Sequence, residues 1–442
     1  MDEYLRILLE QIRCRKVHPY IQQEIKNHIE DQIEDNLLEG MSPEEAEKQA
    51  VKDMGDPVEV GVSFDRIHRP KLSWGVIVFV AILSIAGIII HMMISHDSAA
   101  YEAGYATLNN SIGYIKNILI GLVVMIIIYL LDYTTIAKYS RIIATVFLSG
   151  ILLMTLRRRG FGIGFIASNL MMLYVPLYAA VLYKHKGKGI TGIIQSLIWM
   201  IIPVMLVLRL HNLAYSMIIY VALALILIWA ITKGWYDVNR KAASLITGLI
   251  LLLGPVVPLI TAYLNNGFTE YQLARINAFI QGKDEMYISY RLKELHEAAG
   301  LFGNEMKNIY EILPDYNTDY IYTYITNVYG VFAAVVVCAV FIGMTLLIIG
   351  QLMKQKNQLG QGMGLGAILV LVLVTIMNIL GNLSIVPLFQ TFLPFLSGGT
   401  TTALVSYSLA GIIISVYKYK NIYPKHVDIN SNLKLAIKIE NK

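Results

Sequence analysis

The sequence predicts an all-α polytopic membrane protein, a helical bundle of about ten transmembrane helices behind a small helical cytoplasmic N-terminal domain. Three observations carry this reading. Apolar residues make up 56% of the 442 residues and charged residues only 15%, whereas soluble domains sit near about one quarter charged. Mean hydropathy is +0.57. Apolar runs of membrane length, roughly 18 residues or more, recur from Trp74 onward, while residues 1–70 are polar with acids and bases mixed.

In the polar segment, Ile21, Ile25, Ile29, Ile33 and Leu37 recur every four residues. They form one apolar stripe on a helix that Gly40 ends. Ser42-Pro43-Glu44-Glu45 is a capping box with proline at the first helical position. The helix it starts runs to about Met54 and stops at Gly55-Asp56-Pro57. The helix bearing Glu24 and Asp31, then Gly40-Met-Ser-Pro-Glu-Glu-Ala46, then Met54-Gly-Asp-Pro57, resembles the prefix domain ahead of some Gram-positive permeases, related to HAAS-type domains. The resemblance implies a regulatory or partner-docking module; an inert cap fits the same residues. The polar first 70 residues predict no signal peptide. Cys14 lies in the polar segment and Cys338 in an apolar run, so no disulfide and no cysteine metal site is expected. The net charge of +5, with no basic patch interleaved with aromatics, excludes a nucleic-acid partner.

The candidate spans fall at 74–95, 113–131, 139–155, 162–183, 190–208, 213–231, 242–263, 321–350, 363–384 and 400–417. The third is the shortest. Lysine and arginine in short loops set orientation. Lys138 and Arg141, Lys184 to Lys188, Lys233 to Lys241, Lys354 and Lys356, and Lys418 to Lys425 share one side with the N-terminal domain. Both termini are then cytoplasmic, with 426–442 a cytoplasmic tail, and the long loop 264–320 is external. Arg157, Arg158 and Arg159 break the rule by following the third span. They fit an anion site, since arginine forks match phosphate oxygens, with Arg209 and His211 at the same side. Snorkelling of the side chains to lipid headgroups is the alternative, and the local breach of the charge rule favours the anion site.

Glu311, Asp315 and Asp319 stand at the mouth of the apolar run that begins at Ile321. A carboxylate there can keep one side wet and lean on hydrocarbon, which tunes its pKa for proton transfer. Acids at a helix start also simply suit its dipole. Asn378 and Asn382, four apart on one helix face, read as interhelix hydrogen bonds, and His91 as a packed residue. The glycines at 360, 362, 364 and 366 read as loop and close packing.

The long loop and the spans beyond it carry an ordered set of motifs. Tyr271-Gln272-Leu-Ala-Arg275-Ile276-Asn-Ala-Phe279 resembles the YQxxRI-x-AF signature of the SEDS family, the FtsW/RodA/SpoVE type. Ala299-Gly300-Leu301-Phe302-Gly303 resembles its GGLFGKG turn, and Leu313-Pro314-Asp315-Tyr316-Asn317-Thr318-Asp319-Tyr320 its LPExHTDF motif. Asn378-Ile-Leu-Gly381-Asn382 and Leu393-Pro394-Phe395-Leu396-Ser397-Gly398-Gly399-Thr400 resemble NxGMN and LPFxSYGGS, over a likeness spanning residues 74–422. The resemblance implies a membrane glycosyltransferase that polymerises lipid II into peptidoglycan strands beside a class B penicillin-binding transpeptidase, in division, cell shape or sporulation. It implies Asp319 as the catalytic carboxylate and Glu311 as a second acid used in polymerisation. It implies substrate binding by Arg275, Thr318, Ser397, Gly398 and Gly399, to which the arginines 157–159 and Arg209 would add. No cofactor is implied, and whether a divalent cation assists is not readable.

The sequence departs from the family at several points. Asn317 replaces the histidine before Thr-Asp, Ile166-Ala-Ser168-Asn169 stands for QPSE, and His211-Asn212-Leu-Ala-Tyr215 stands for PDxGT. Arg291-Leu292 replaces a glutamine-serine pair, and Asn304-Glu305 the basic end of the glycine turn. The alternative class is a non-catalytic member, either a scaffold for wall enzymes or a transporter of a polyprenyl-linked precursor. A transporter would place ionisable residues at the midplane, whereas here they gather at one face.

Overall fold

The computed structural model describes residues 1–96, 108–156, 161–210, 212–264, 287–303, 309–313, 315–386 and 391–427. Every regular element among the described residues is a helix. The chain divides into two compact units. One comprises Met1–Ser73, Met353–Gln361 and Val416–Lys442; the other comprises Trp74–Leu352 and Gly362–Ser415.

The first unit is built on α1 (Asp2–Glu10), α2 (His18–Leu38), α3 (Pro43–Asp53) and α4 (Pro57–His68). Ile21, Ile25 and Ile29 are buried, and Ala46 and Ala50 of α3 are buried with them. The stripe then runs out: Leu37 is 41% exposed. A strict four-residue spacing drifts by about 40° per step on a helix of 3.6 residues per turn. Asn36 takes the inward position instead, and its amide donates to the Ala46 carbonyl at 3.1 Å. The capping box forms in both directions, Glu45 N–H to the Ser42 hydroxyl and Ser42 N–H to the Glu45 carboxylate. Asp56 starts a further helix by accepting from the Val58 N–H. That helix packs on α1 through Gly61, where an added Cβ would lie 2.6 Å from the Leu8 carbonyl oxygen.

Two distant segments complete this unit. Lys16 Nζ lies 4.7 Å over the Tyr419 ring, and Tyr20 meets Tyr423 edge-on at 6.2 Å. His68 Nδ1 sits 2.5 Å from the Asn421 carbonyl oxygen, and the Asn421 amide donates to Ile67 at 3.2 Å. Gln355 and Asn357 donate to the Val416 and Pro424 carbonyls.

The second unit contains α5 (Trp74–His96), α6 (Leu108–Leu130), α7 (Tyr133–Lys138), α8 (Ser140–Leu156), α9 (Phe161–Met171), α10 (Tyr174–Tyr183), α11 (Gly189–Arg209) and α12 (Leu213–Thr232). It continues with α13 (Arg240–Leu264), α14 (Tyr287–Glu297), α15 (Ile309–Ile312), α16 (Ile321–Val328), α17 (Gly330–Met353), α18 (Gln358–Asn382) and α19 (Thr400–Lys418). Seven helices among the described residues are long and apolar enough to cross a membrane, and a bent pair makes an eighth. The chain is a multi-span membrane protein. Ile82, Ile85 and Ile89 of α5 and Ile194, Ile198 and Ile201 of α11 are exposed, as hydrocarbon-facing side chains should be. By contrast every residue of α10 is buried.

Two expected spans are not single helices. The stretch 162–183 bends by 40° between α9 and α10, because Pro176 has no N–H to give Met172 and its ring would strike that carbonyl. The stretch 321–350 is two helices, α16 and α17, parted at Tyr329. Gly330 sits there at φ +90°. The first N–H groups of a helix have no partner within it. For α17 the Gly300–Gly303 turn supplies them: Val331 N–H bonds the Gly300 carbonyl and Phe332 N–H the Leu301 carbonyl, each at 3.1 Å.

A Cβ at Gly330 would lie 2.4 Å from both the Gly303 nitrogen and the Leu301 oxygen, neither of which can swing aside. The left-handed conformation adds roughly 1–2 kcal/mol for a residue with a Cβ. Gly330→Ala is expected to lower the thermal midpoint of the detergent-solubilised protein. Gly350→Ala, with nothing within 4 Å of the added carbon, is expected to leave it unchanged.

Candidate functional site

Two irregular turns of the second unit, 315–320 and 393–399, are joined through their backbones. The first starts at Asp315, which adopts φ +58° so that its carbonyl accepts from Thr318 and Tyr320 N–H. The second contains Phe395 at φ +65° and Gly399 at φ +117°. The Ser397 hydroxyl accepts from Leu393 N–H and donates to the Thr318 carbonyl, both at 2.7 Å. Gly398 N–H donates to the Asn317 carbonyl at 3.0 Å. A Cβ at Gly398 would meet Asn317, His91 and Thr318 within 3.1–3.4 Å, so a larger residue there would press the turns apart by a few tenths of an ångström.

Helix α18 holds the 315–320 turn from beneath. Its Asn378 and Asn382 amides both donate to the Asp319 carbonyl, at 2.9 and 3.0 Å. The same Asn382 accepts from Thr323 N–H and from its hydroxyl, capping α16. Asn378 also donates to the Thr391 carbonyl. A buried carbonyl without a donor costs about 1–3 kcal/mol, so this amide pair fixes where Asp319 sits. His91 faces the other turn: its Nε2 lies 3.1 Å from the Leu396 carbonyl, and its ring stacks on Tyr114 at 3.8 Å. The Tyr114 hydroxyl donates to Phe395. Between these elements lies an open cavity of about 270 Å³ whose polar lining is His91, Asn110, Asn117, Asn317 and Thr318, with Gly398 and Gly399 on its wall.

The Asp319 side chain is only 6% exposed, and its Oδ1 is buried with no hydrogen-bond partner. Loss of water around the carboxyl, and then the negative charge of Asp315, push its pKa up to about 7. It can thus accept a proton near neutral pH, which a carboxylate in water cannot do efficiently. The Tyr215 phenol, at the first turn of α12, is also buried without a hydrogen-bond partner, and the Asp319 charge acts on it. Among the described residues no group of three or more His, Cys, Asp or Glu gathers as a metal site.

Of the residues singled out in the sequence, the structure brings together Thr318, Asp319, Ser397, Gly398 and Gly399. Thr318 and the two glycines line the cavity, while the Ser397 hydroxyl is taken up between the turns. Arg209, in the last turn of α11, is exposed and does not line the cavity. Glu311 lies on α15 with its side chain outside the described residues, as are Arg157, Arg158, Arg159 and Arg275. The sequence reading missed Tyr215 and the cavity wall from Asn110, Tyr114 and Asn117. The one signal for Tyr215 was Asn212, which caps α12 by accepting from the Tyr215 N–H and so places that ring in the first turn.

The cell cycle protein family of FtsW, RodA and SpoVE matches residues 73–422. The chain is 29% identical over 210 residues to a probable peptidoglycan glycosyltransferase FtsW of Enterococcus hirae, covering 44% of this chain and 51% of that one. It is 23% identical over 256 residues to the probable peptidoglycan glycosyltransferase FtsW of Wigglesworthia glossinidia brevipalpis, covering 55% and 63%. The matches thus span less than two thirds of either relative. A solved chain from a peptidoglycan synthase complex that coordinates polymerization and crosslinking shares the fold with a TM-score of 0.62 at 14% identity, over 78% of this chain and 97% of that one. The rod shape determining protein RodA of Thermus thermophilus does so with a TM-score of 0.53 at 11% identity, over 79% and 97%.

The pKa of Asp319 fixes a pH dependence of stability. Below the ordinary value of 3.8 the carboxyl is neutral folded and unfolded. From there to about 7 the unfolded chain releases its proton and the folded one keeps it, so folding weakens as pH rises, and above about 7 the penalty is constant. Asp319→Asn is expected to raise the thermal midpoint relative to the native protein at pH 8, with the difference shrinking toward pH 4. An equal difference at both pH values would mean that the buried carboxyl ionises as it does in water.

Proposed function

The chain belongs to the FtsW/RodA/SpoVE family of cell cycle proteins, and from that premise we propose that it is a peptidoglycan glycosyltransferase. It polymerises lipid II into glycan strands with loss of undecaprenyl diphosphate. The observation that carries this is Asp319: a buried carboxyl with one oxygen unpaired, a pKa of about 7, and a cavity beginning at its neighbour Thr318.

The donor sugar is α-linked to diphosphate and the product bond is β, so a single inverting displacement suffices. The acceptor hydroxyl gives its proton to the Asp319 carboxylate as its oxygen bonds the anomeric carbon, and the bond to the diphosphate oxygen breaks. Diphosphate leaves readily, so no covalent enzyme intermediate is required. A general base of this kind contributes about 100- to 10,000-fold in rate. The departing diphosphate needs positive charge, and Arg275 with Arg157, Arg158 and Arg159 is the proposed source; Glu311 is the proposed second acid. The cavity lining is mostly apolar with uncharged amides among it, and among the described residues it offers no cation to an anion.

The lysine and arginine bias supports both termini in the cytoplasm and the loop 264–320 outside the cell membrane, and the resemblance of residues 1–70 to a prefix domain supports a Gram-positive cell. The fold shared with a chain of a peptidoglycan synthase complex supports a class B penicillin-binding transpeptidase as partner.

Asp319→Asn is expected to keep the fold and cut glycan polymerisation from lipid II by about 100-fold or more, read as gel-resolved product with and without a candidate transpeptidase. Asp315→Asn should be milder and Glu311→Gln intermediate. Near-normal product from Asp319→Asn would remove this residue as the base, and no product from the native protein under any condition would favour the scaffold or transporter reading. Orientation has its own test. A cysteine placed at Asn265 is expected to react with an impermeant thiol reagent in intact cells; labelling only after permeabilisation would invert the topology.

A further inference from the structure

The Asp319 carboxyl is accompanied by a second group that the reaction as described does not use. Tyr215 is fully buried and its hydroxyl has no hydrogen-bond partner. Asp319 Oδ1, buried nearby, also has none. One of these atoms is a donor and the other an acceptor. They are close enough for the Asp319 charge to act on the phenol. A buried phenol and a buried carboxylate oxygen left this way are each costly, and a hydrogen bond between them would satisfy both.

The Tyr215 ring is placed by its own helix turn and by one neighbouring ring. Asn212 fixes the Tyr215 backbone at the first turn of α12 with a 3.2 Å bond. The Phe165 ring of α9 meets the Tyr215 ring edge-on, with centroids 6.1 Å apart. Ser216 N–H and its hydroxyl bond the Asn212 carbonyl and lock the same turn. Asp319 is held independently, by Asn378 and Asn382 on its carbonyl. What remains free on both sides is the pair of polar atoms itself.

We propose that Tyr215 is a positioning residue: its hydroxyl donates a hydrogen bond to Asp319 Oδ1 when that carboxyl ionises, aiming the carboxylate at the acceptor hydroxyl. No proton changes hands between them. Asp315 and Tyr320 of the same turn and Tyr215 of α12 are the titratable groups among the described residues that bear on Asp319. His91 is the titratable group across the adjoining cavity, stacked on Tyr114. Of these, Tyr215 carries the buried hydroxyl without a partner, and Asp315 repels the carboxylate.

This rests on the reading of Asp319 as the base, but the two can fail apart. The direct readout needs no turnover. The Asp319 carboxyl band in an infrared pH titration of the full-length protein in lipid nanodiscs is identified by its loss in Asp319→Asn. In Tyr215→Phe, which removes only the hydroxyl, the midpoint of that band is expected to move up by about one to two pH units, as loss of a hydrogen bond to a charged group requires. The acid limb of the polymerisation profile should move with it, kcat falling by about tenfold or more while KM for lipid II changes little. An unmoved midpoint overturns the assignment even where Asp319→Asn abolishes polymerisation. A moved midpoint supports the contact even where Asp319→Asn stays active, in which case it is the base assignment that falls. Should Tyr215→Phe not fold, a fluorinated tyrosine at 215, a stronger donor of nearly the same size, must move the midpoint down; no movement overturns the proposal.

Discussion

Everything at the Asp319 end of the spans depends on satisfying one carbonyl. The 315–320 turn is partly buried without being helical, so its backbone groups cannot pair with one another along a ladder. Asn378 and Asn382 resolve this by placing two amide donors on the Asp319 carbonyl from one face of α18. With that carbonyl fixed, Thr318 and Asn317 face the second turn, and Ser397 and Gly398 join to them. Asn382 also caps α16, whose end at Tyr329 lets α17 begin anew on the carbonyls of the Gly300–Gly303 turn. A carboxyl on an irregular turn thereby gains the rigidity of the helices around it.

The electrostatic design is one of subtraction. Asp319 is surrounded by neutral amides, hydroxyls and phenols, with Asp315 the one nearby charge among the described residues, and that charge repels it. Where the family pattern has further acids, this chain has Asn169 and Asn212. Asn212 serves as a helix cap. Asn169 donates to the Thr401 hydroxyl and leaves its own oxygen unpaired. Replacing an acid by an amide removes a like charge that would raise the pKa of Asp319 further. Burial, more than any contest between several carboxylates, then sets its proton affinity near neutrality.

Much of this was legible in the chain. Hydropathy gave the membrane class because the bilayer leaves few alternatives to a long apolar helix. The capping box at Ser42 and the four-residue spacing of Asn378 and Asn382 rest on local geometry, and both formed as the spacing implies. Three things were not legible. Apolar composition does not record a break when both halves are apolar, so the division at Gly330 was hidden. A strict four-residue stripe looks helical while drifting off its face, which concealed Asn36. Tyr215 reads as one more membrane tyrosine; its meaning comes from the loop that folds against it about a hundred residues later. The arginines 157–159, Arg275 and Glu311 belong to stretches whose side chains lie outside the described residues, so their roles rest on pattern alone.

The completion of the four-helix unit by the segment around Tyr419 has a consequence in time. Lys16 and Tyr419 are 403 residues apart. At the usual pace of synthesis, about 5–20 residues per second, roughly 20–80 s separate their emergence from the ribosome. The four helices have their own core and can form early, but the face bearing Lys16, Tyr20 and His68 stays uncovered through that interval. It is closed only after every span of the membrane unit has been made. A ligand or quality-control factor that recognises the bare face would therefore read the age of the nascent chain, and would lose its purchase once the last helix has been threaded.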